Sequence, residues 1–481
     1  MANAFLRLSA LVAAGFVVAV VYMRLPGFHS REPALCEHCN VVLISFDTVR
    51  ADHLGAYGYA RGTSPNVDAL ARKSLVFERA ISQAPWTLPA HGSMLSGLYP
   101  SRLGVAHYPA IRRLPDQNSV LPEVFHAAGY ATAGFTGGGF VSANYGFNRG
   151  FDIYASSGRR FEHNIDATID WLDQHKRKPF FLFFHGYDAH RPYYSSAVDK
   201  AAMELPSGAR SDLGGYCLRD DREVPGPARR DEIVRYYDAA IHHGDRAIGV
   251  LLDALEQMRL MDKTLILLTS DHGEEFFEHG HCDHVRFLYN ESVHVPYMIY
   301  VPGLTPGGRR IDGLLPASIS IAQTLLDAVG IEHHMPGETL LPMIAGKQAD
   351  FPVVYSETDS KVGALGSRGR SLAIIKPDLK LIAYTEENAY EGYDHSQDPD
   401  ELQPLPEGHA VYQMAKPLRA WADAISPLPR PAKRPDSKAA AAAPGRGKDA
   451  GKPRGPRKSK DKGMKVPKDL KENLKSLGYL E

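Results

Sequence analysis

The chain has 481 residues, 44% of them hydrophobic, which suits one large domain with an appendage. A formal net charge of −1 supplies no global field for nucleic acid, so no nucleic-acid partner is expected. That near-zero sum hides an asymmetry: Arg430 to Lys468 is dense in Lys and Arg, opposed by Asp436, Asp449 and Asp461, so the remainder is acidic and carries a basic tail.

In chain order, Leu8 to Met23 (LSALVAAGFVVAVVYM) is apolar, with Arg7 before it and Arg24 after. A spanning helix needs roughly 17–25 apolar residues, so this one is short. The following RLPGFHSREPALC offers no small-residue cleavage site. An uncleaved signal-anchor is expected, giving a membrane contact through an N-terminal helix. The flanking charges are nearly balanced and orient it weakly. A signal-anchor would put the body of the chain outside the cytoplasm, periplasmic or extracellular. The four cysteines are Cys36, Cys39, Cys217 and Cys282. Cys36 and Cys39 form a lone CxxC without the second pair a zinc site would want. It precedes the first strand rather than linking a strand to a helix, which disfavours redox chemistry. A local disulfide or two inert thiols remain.

Asn40 to Asp47 (NVVLISFD) reads as a fully buried strand ending in a carboxylate. Ser119 is expected to cap a helix that stops at Gly129, followed by a strand from Tyr130 to Phe135. Pro179 to Phe184 is another buried strand, Asp231 to Leu260 a long amphipathic helix, and Thr264 to Thr269 one more strand, leading to Asp271-His272. Strands alternating with helices predict an α/β sandwich around a largely parallel sheet. Val353 to Glu357, Ser371 to Ile375 and Leu379 to Tyr384 predict a small C-terminal antiparallel subdomain. The expected organisation is an anchor and linker over 1–35, a catalytic domain over 36–350, the subdomain over 351–427, a disordered basic tail over 428–468, and a short helix over 469–481.

In such sheets chemistry gathers at the carboxyl ends of the strands, where Asp47, the His185 to His190 segment and Asp271-His272 all fall. In WTLPAHGSMLSG, Thr87 is a natural N-cap with Pro89 in the following turn. A hydroxyl there sits in a positive field beside free N–H groups, suited to an anionic substrate. With Asp47, Asp271 and His272, Thr87 makes a metal site of oxygens and one nitrogen, where a divalent ion would lower the hydroxyl pKa. His190, His279 and His284 remain to bind the anion or to protonate the leaving group.

The stretches NVVLISFDTVRADHLGAYGY and SPNVDALARKSLVFERAISQAPWTLPAHGSMLSGLYP resemble the N-terminal signature of the sulfatase family, in the alkaline phosphatase superfamily. FFLFFHGYDAHRPY, YYDAAIHHGDRAIGVLLDAL, TLILLTSDHGEEFFEHGHCDH and LYNESVHVPYMIYVPG are similar to its later blocks, in order, and YEGYDHSQDPDELQPL to its closing pattern. The resemblance covers roughly Asn40 to Leu405. It implies an alkaline-phosphatase-like sandwich with Asp47, Asp271 and His272 as metal ligands and Thr87 at the nucleophile position. His190 would contact substrate, and His284 would contact substrate or leaving group. His91 stands where the family usually carries an arginine.

Four departures follow. Formylglycine sulfatases need Cys or Ser at the nucleophile, and Thr87, with its β-methyl group, cannot become that aldehyde. The arginine is His91. The paired aspartates that often end the first strand are Phe46-Asp47. The family's lysine near the third strand falls in Thr136-Gly137-Gly138-Gly139 and is absent. The Thr pattern resembles the superfamily's phosphatases, phosphodiesterases and phospholipid head-group transferases. The expectation is a hydrolase of sulfate or phosphate esters, phosphate-type preferred, with one divalent ion (Ca, Mg, Mn or Zn). A second ion would need a set such as Asp188, His190 and His284. A membrane-anchored transferase of the lipoteichoic acid synthase or phosphoethanolamine transferase kind is one alternative, and an inactive binding protein on the same fold is another. Oligomeric state is not legible, and loops such as Tyr193 to Pro227 carry no readable specificity pattern.

Overall fold

The computed structural model describes residues 32–108, 111–208, 224–304, 307–348, 350–360 and 369–425. The apolar segment 8–23, Cys217, the basic tail and the closing helix lie outside the described residues. Among the described residues no helix is long and apolar enough to cross a membrane. Cys36 and Cys39 are joined by a disulfide, and Cys282 is also disulfide-bonded.

Among the described residues the larger sheet has eight strands. From one edge to the other they are β11 (Arg309–Pro316), β2 (Leu75–Ile81), β10 (His294–Tyr300), β7 (Thr264–Thr269), β1 (Asn40–Phe46), β6 (Phe180–Gly186), β4 (Ala131–Phe135) and β5 (Ile153–Ala155). Only β10 runs against the rest. The three central strands show why the sequence reads as continuous apolar runs. Val41 and Leu43, Phe181 and Phe183, and Leu265 and Leu267 face one core. Val42 and Ile44, Leu182 and Phe184, and Ile266 and Leu268 face the other. With both faces covered, every position is buried and alternation disappears. Each such side chain contributes roughly 1.5–3 kcal/mol by burial, so these strands are the sheet's most costly place for a polar substitution.

Helices α1 (Thr87–Ser96) and α4 (Ala317–Ala328) cover the first face, while α2 (Ile165–His175) and α3 (Pro227–Gln257) cover the second. α1 has all ten residues buried and stops at Gly97, φ 72°. A Cβ at Gly97 would fall 1.9 Å from the Pro336 carbonyl oxygen, so only glycine allows this ending. The long helix begins at Pro227, four residues before the sequence-based start, because Pro is preorganised for a first turn. The helix expected after Ser119 spans Leu121–Ala127. Val120 is its N-cap, and Glu123 accepts the Val120 N–H at 3.1 Å, so the capping falls to Glu123 rather than Ser119.

The smaller sheet comprises β12 (Val354–Ser360), β13 (Gly369–Ile375), β14 (Leu379–Tyr384) and β15 (Ala389–Asp394), all antiparallel. The short strand β3 (His107–Tyr108) joins its edge in parallel from the larger domain, and helix α5 (Ala415–Ile425) packs on one face. A two-stranded ribbon, β8 (Glu275–Phe276) with β9 (Cys282–Asp283), rises after β7.

Candidate active site

Strand ends and one helix start assemble the site. Asp47 follows β1, Asp271 and His272 lie just beyond β7, His185 lies near the end of β6, and Thr87 opens α1. Asp47, Thr87, His91, His185, Asp271 and His272 are all fully buried. Thr87 is the first helical residue rather than the N-cap. Trp86 takes the cap position in an extended conformation, and its carbonyl accepts the Ala90 N–H. The Thr87 hydroxyl lies against Asp47 and 3.4 Å from Nε2 of His272.

The tautomers follow from the partners. Nδ1 of His272 lies 2.9 Å from the Gly273 carbonyl, which only accepts, so Nδ1 carries the hydrogen and the Nε2 lone pair faces Asp271 Oδ2 at 3.3 Å. Burial lowers the His272 pKa to about 4, leaving a neutral imidazole. Nδ1 of His185 accepts the Gly137 N–H, so its Nε2–H is directed to Asp47 Oδ2, 3.3 Å away. His91 is engaged at both nitrogens, with Nδ1 on the Thr87 carbonyl (2.9 Å) and Nε2 on Ser45 Oγ (2.9 Å). Its Nδ1 also stands 3.3 Å from Asp271 Oδ2. It lies one helical turn beyond Thr87, with its ring beside the Asp271 carboxylate.

Asp47, Asp271 and His272 offer ligand atoms within 4.8 Å of one another. Asp47 Oδ1 and Asp271 Oδ2 are buried without a hydrogen-bond partner. Burial, followed by the adjacent Asp271 charge, holds the Asp47 pKa well above the usual carboxylate range. Burial also acts to raise Asp271, but the imidazoles of His272 and His91 outweigh it and hold it low. Two orphaned carboxylate oxygens and an imidazole lone pair converge where a divalent cation would satisfy all three, so these residues fit one. Asp47, His91 and His185 also lie within reach of one another, but both nitrogens of each ring are already engaged.

His284 and His190 form the adjoining wall. Their rings stand 5.0 Å apart, and His284 is 4.5 Å from His272. Nδ1 of His284 lies 3.0 Å from Asp283 Oδ1 and 3.2 Å from Glu274 Oε1. Burial acts to lower its pKa, but the two carboxylates outweigh it and raise it to about 10, making an imidazolium. Asp283 Oδ2 also meets Arg191 at 2.5 Å. Asp283 and Val285, on either side of His284, have φ of 82° and 89°. For β-branched Val285 this is a strained conformation, one that surrounding packing must hold. His190, by contrast, gives its Nδ1–H to the Arg191 carbonyl, and burial, then the His284 charge, hold it well below an ordinary histidine.

Two sequence candidates lie elsewhere. His279 pairs with Glu291 (2.6 Å), lies 2.8 Å from the Glu401 carbonyl and stacks on Tyr289, tying the ribbon to the smaller sheet rather than facing the site. Asp188 accepts the Phe161 N–H at 2.9 Å and lies against α3 at Gly244, so it does not join His190 and His284. The sequence reading put the His185 to His190 segment at the strand end without giving His185 a role of its own, and it missed Glu274, Asp283 and Arg191. A histidine ending the apolar run FFLFFH was the one local signal; the other three depend on distant partners.

The Sulfatase family model matches residues 39–331, and that of the N-sulphoglucosamine sulphohydrolase C-terminal region matches 277–424. The chain is 27% identical over 368 residues to the endo-4-O-sulfatase of Bacteroides thetaiotaomicron, covering 63% of this chain and 71% of that protein. It is 27% identical over 360 residues to human iduronate 2-sulfatase, covering 60% and 64% respectively. Among solved structures it is similar in fold to the phosphonate monoester hydrolase of Agrobacterium radiobacter, with a TM-score of 0.64 and 20% identity, covering 80% of this chain and 96% of that one.

Proposed function

Since the chain belongs to the sulfatase family of ester hydrolases, we propose that it cleaves sulfate or phosphate esters with the Thr87 hydroxyl as nucleophile, phosphate-type esters preferred. The observation that carries this reading is the Thr87 hydroxyl at the start of α1, held against Asp47 and His272 beside two orphaned carboxylate oxygens. Asp47, Asp271 and His272 would hold one divalent ion, with Thr87 against it. When bound, such an ion would offset the buried negative charge and lower the pKa of the adjacent hydroxyl.

The chain's own residues do the rest. Thr87 Oγ, its proton released to solvent beforehand, attacks phosphorus or sulfur as the alkoxide, and the N–H groups at the start of α1 offset the charge that develops on the non-bridging oxygens. The bond to the ester oxygen breaks as the Oγ bond forms. The imidazolium of His284 donates a hydrogen bond to the departing oxygen, and His190 borders the same space. Attack by water then breaks the Oγ bond, and Thr87 regains its proton. A threonine supports phosphorus chemistry because it cannot supply the aldehyde hydrate of formylglycine enzymes.

Aryl sulfate, phosphate monoester, phosphodiester and phosphonate ester should be assayed in parallel across a metal series. Thr87→Ala is expected to lose at least about 10³-fold in kcat on the preferred ester. An unchanged rate would remove Thr87 from the chemistry, and Thr87-dependent sulfatase turnover above the phosphate rates would reverse the preference. The same reading puts the catalytic body outside the cytoplasm, anchored through the N-terminal apolar segment. The disulfide-bonded Cys36, Cys39 and Cys282 suit an oxidising compartment. Reduced thiols on protein recovered from the soluble cytoplasmic fraction would overturn that placement.

A further inference from the structure

We propose that His279 is a positioning residue for His284, a clamp that holds the tip of the β8–β9 ribbon to the smaller sheet and so sets the group that faces the leaving oxygen; this rests on the ester-hydrolase reading above. The tip joins Phe276 to Cys282, and His284 follows directly on Asp283, which pairs with Glu275 across the ribbon. Asp283 and Val285, on either side of His284, have φ of 82° and 89°, and Phe277 in the tip has φ of 68°. Non-glycine residues do not hold themselves in such conformations, so contacts from outside the ribbon must do it.

His279 supplies such a contact through both ring nitrogens. Nδ1 lies 2.6 Å from Glu291 Oε1, and Nε2 lies 2.8 Å from the Glu401 carbonyl. A carboxylate and a carbonyl only accept, so both nitrogens carry hydrogen and the ring is an imidazolium. Burial acts to lower its pKa, but the Glu291 carboxylate outweighs burial and raises it to about 9. Each partner is itself held. Glu401 is fully buried at φ 56°, with Oε1 2.8 Å from Lys380 Nζ and 2.6 Å from His395 Nε2, while Oε2 accepts the Asn290 N–H at 2.9 Å. A side chain caught on both oxygens keeps the Glu401 carbonyl turned to His279. His395 and Glu401 both lie in the closing stretch YEGYDHSQDPDELQPL, which thereby gains a task at the site. Glu291 belongs to the short helix Asn290–Val293, whose Ser292 hydroxyl donates to Glu275 Oε1 at 3.0 Å. The clamp therefore runs from the ribbon tip through Glu291 and Ser292 back to Glu275, opposite Asp283. Next to His279, Glu278 pairs with Arg50 at 2.6 Å, so the tip is held between the segment after β1 and the smaller sheet.

The test compares the phenyl and 4-nitrophenyl esters of phosphate and of sulfate, turned over by the full chain with saturating divalent metal. Wild type, His279→Gln, Glu291→Gln and His284→Gln are assayed for kcat and KM, and their melting temperatures are measured. Phenolate departs less readily than 4-nitrophenolate and so depends more on the hydrogen bond from His284. His279→Gln should lower kcat/KM about tenfold or more on the phenyl ester and less than about threefold on the 4-nitrophenyl ester, with the loss in kcat. Glu291→Gln keeps an acceptor for Nδ1 without its charge and should show the same pattern more weakly; it carries the test should His279→Gln not fold. His284→Gln should show the pattern most strongly. If His284→Gln discriminates between the two esters while His279→Gln and Glu291→Gln do not, this proposal falls and the leaving-group reading stands. If His284→Gln does not discriminate, or wild type turns over none of the four esters, that reading falls and takes this proposal with it. Equal losses on both esters in His279→Gln, with a lowered melting temperature, would give His279 a purely structural role and overturn the proposal too.

Discussion

The clusters Asp47–Asp271–His272 and Glu274–Asp283–His284 each gather two carboxylates and one imidazole into a space a metal ion could fill. Their electrostatics are opposite. In the first, the imidazole is neutral, a carboxylate oxygen on each aspartate has no partner, and no Lys or Arg is paired with either aspartate among the described residues. In the second, His284 is charged and Arg191 pairs with Asp283, so two cations answer two carboxylates; among the described residues, Glu274 Oε2 is the one carboxylate oxygen of the cluster without a hydrogen-bond partner. Composition and spacing do not separate a metal site from a self-neutralised ion network. The cations contributed by neighbouring elements do.

The largest expected effect breaks the first cluster. Asp271→Asn should abolish divalent-ion binding and reduce turnover at least about 10³-fold. Thermal unfolding with and without metal reads this directly. A cation at 100 times its Kd should stabilise wild type by about 2.7 kcal/mol and the variant by nothing. A variant that kept the full metal-dependent shift would move the site elsewhere. Asp283→Asn should act more mildly, lowering kcat/KM about 10- to 100-fold while leaving the metal-dependent shift intact, because it touches only the second cluster. Loss of the metal shift in Asp283→Asn would merge the two clusters into one site.

The smallest effect is on pH dependence. The pKa of His284 is raised in the folded state, to about 10 from an unfolded value near 6.5. Its contribution to stability is therefore complete below about pH 6.5 and lost as pH rises towards 10. Glu274, Asp283 and Arg191 face it, and His190 and His272 lie beside it. In Asp283→Asn this loss should be smaller and complete at lower pH, measured as the urea midpoint across pH 6 to 10. Coincident curves for the two proteins would take Asp283 out of the pair.

Much of the architecture is legible in the chain because its cause is local. NVVLISF, PFFLFF and TLILLT are apolar at every position, and only strands covered on both faces tolerate that. Asp47 and Asp271-His272 follow such strands, and Thr87 precedes a run of small residues, so the corner where they meet can be inferred. The cap at Thr87 was misplaced by one residue, since Thr suits the N-cap and the first turn almost equally. The parallel strand β3 escaped notice because two residues, His107 and Tyr108, carry no periodicity.

The sequence by itself determined the central strands of the sheet and which residues follow their ends, because burial and chain direction follow from runs of neighbours. Only the tertiary structure decided what each histidine does. Among 21 of them, His272 is a neutral lone-pair donor, His284 an imidazolium and His279 a tie between the ribbon and the smaller sheet. An imidazole titrates near neutrality, so small differences in burial and in facing charge reverse its state. Those facing charges come from distant parts of the chain: Arg191 onto Asp283, and the Glu401 backbone onto His279. No local pattern encodes such meetings.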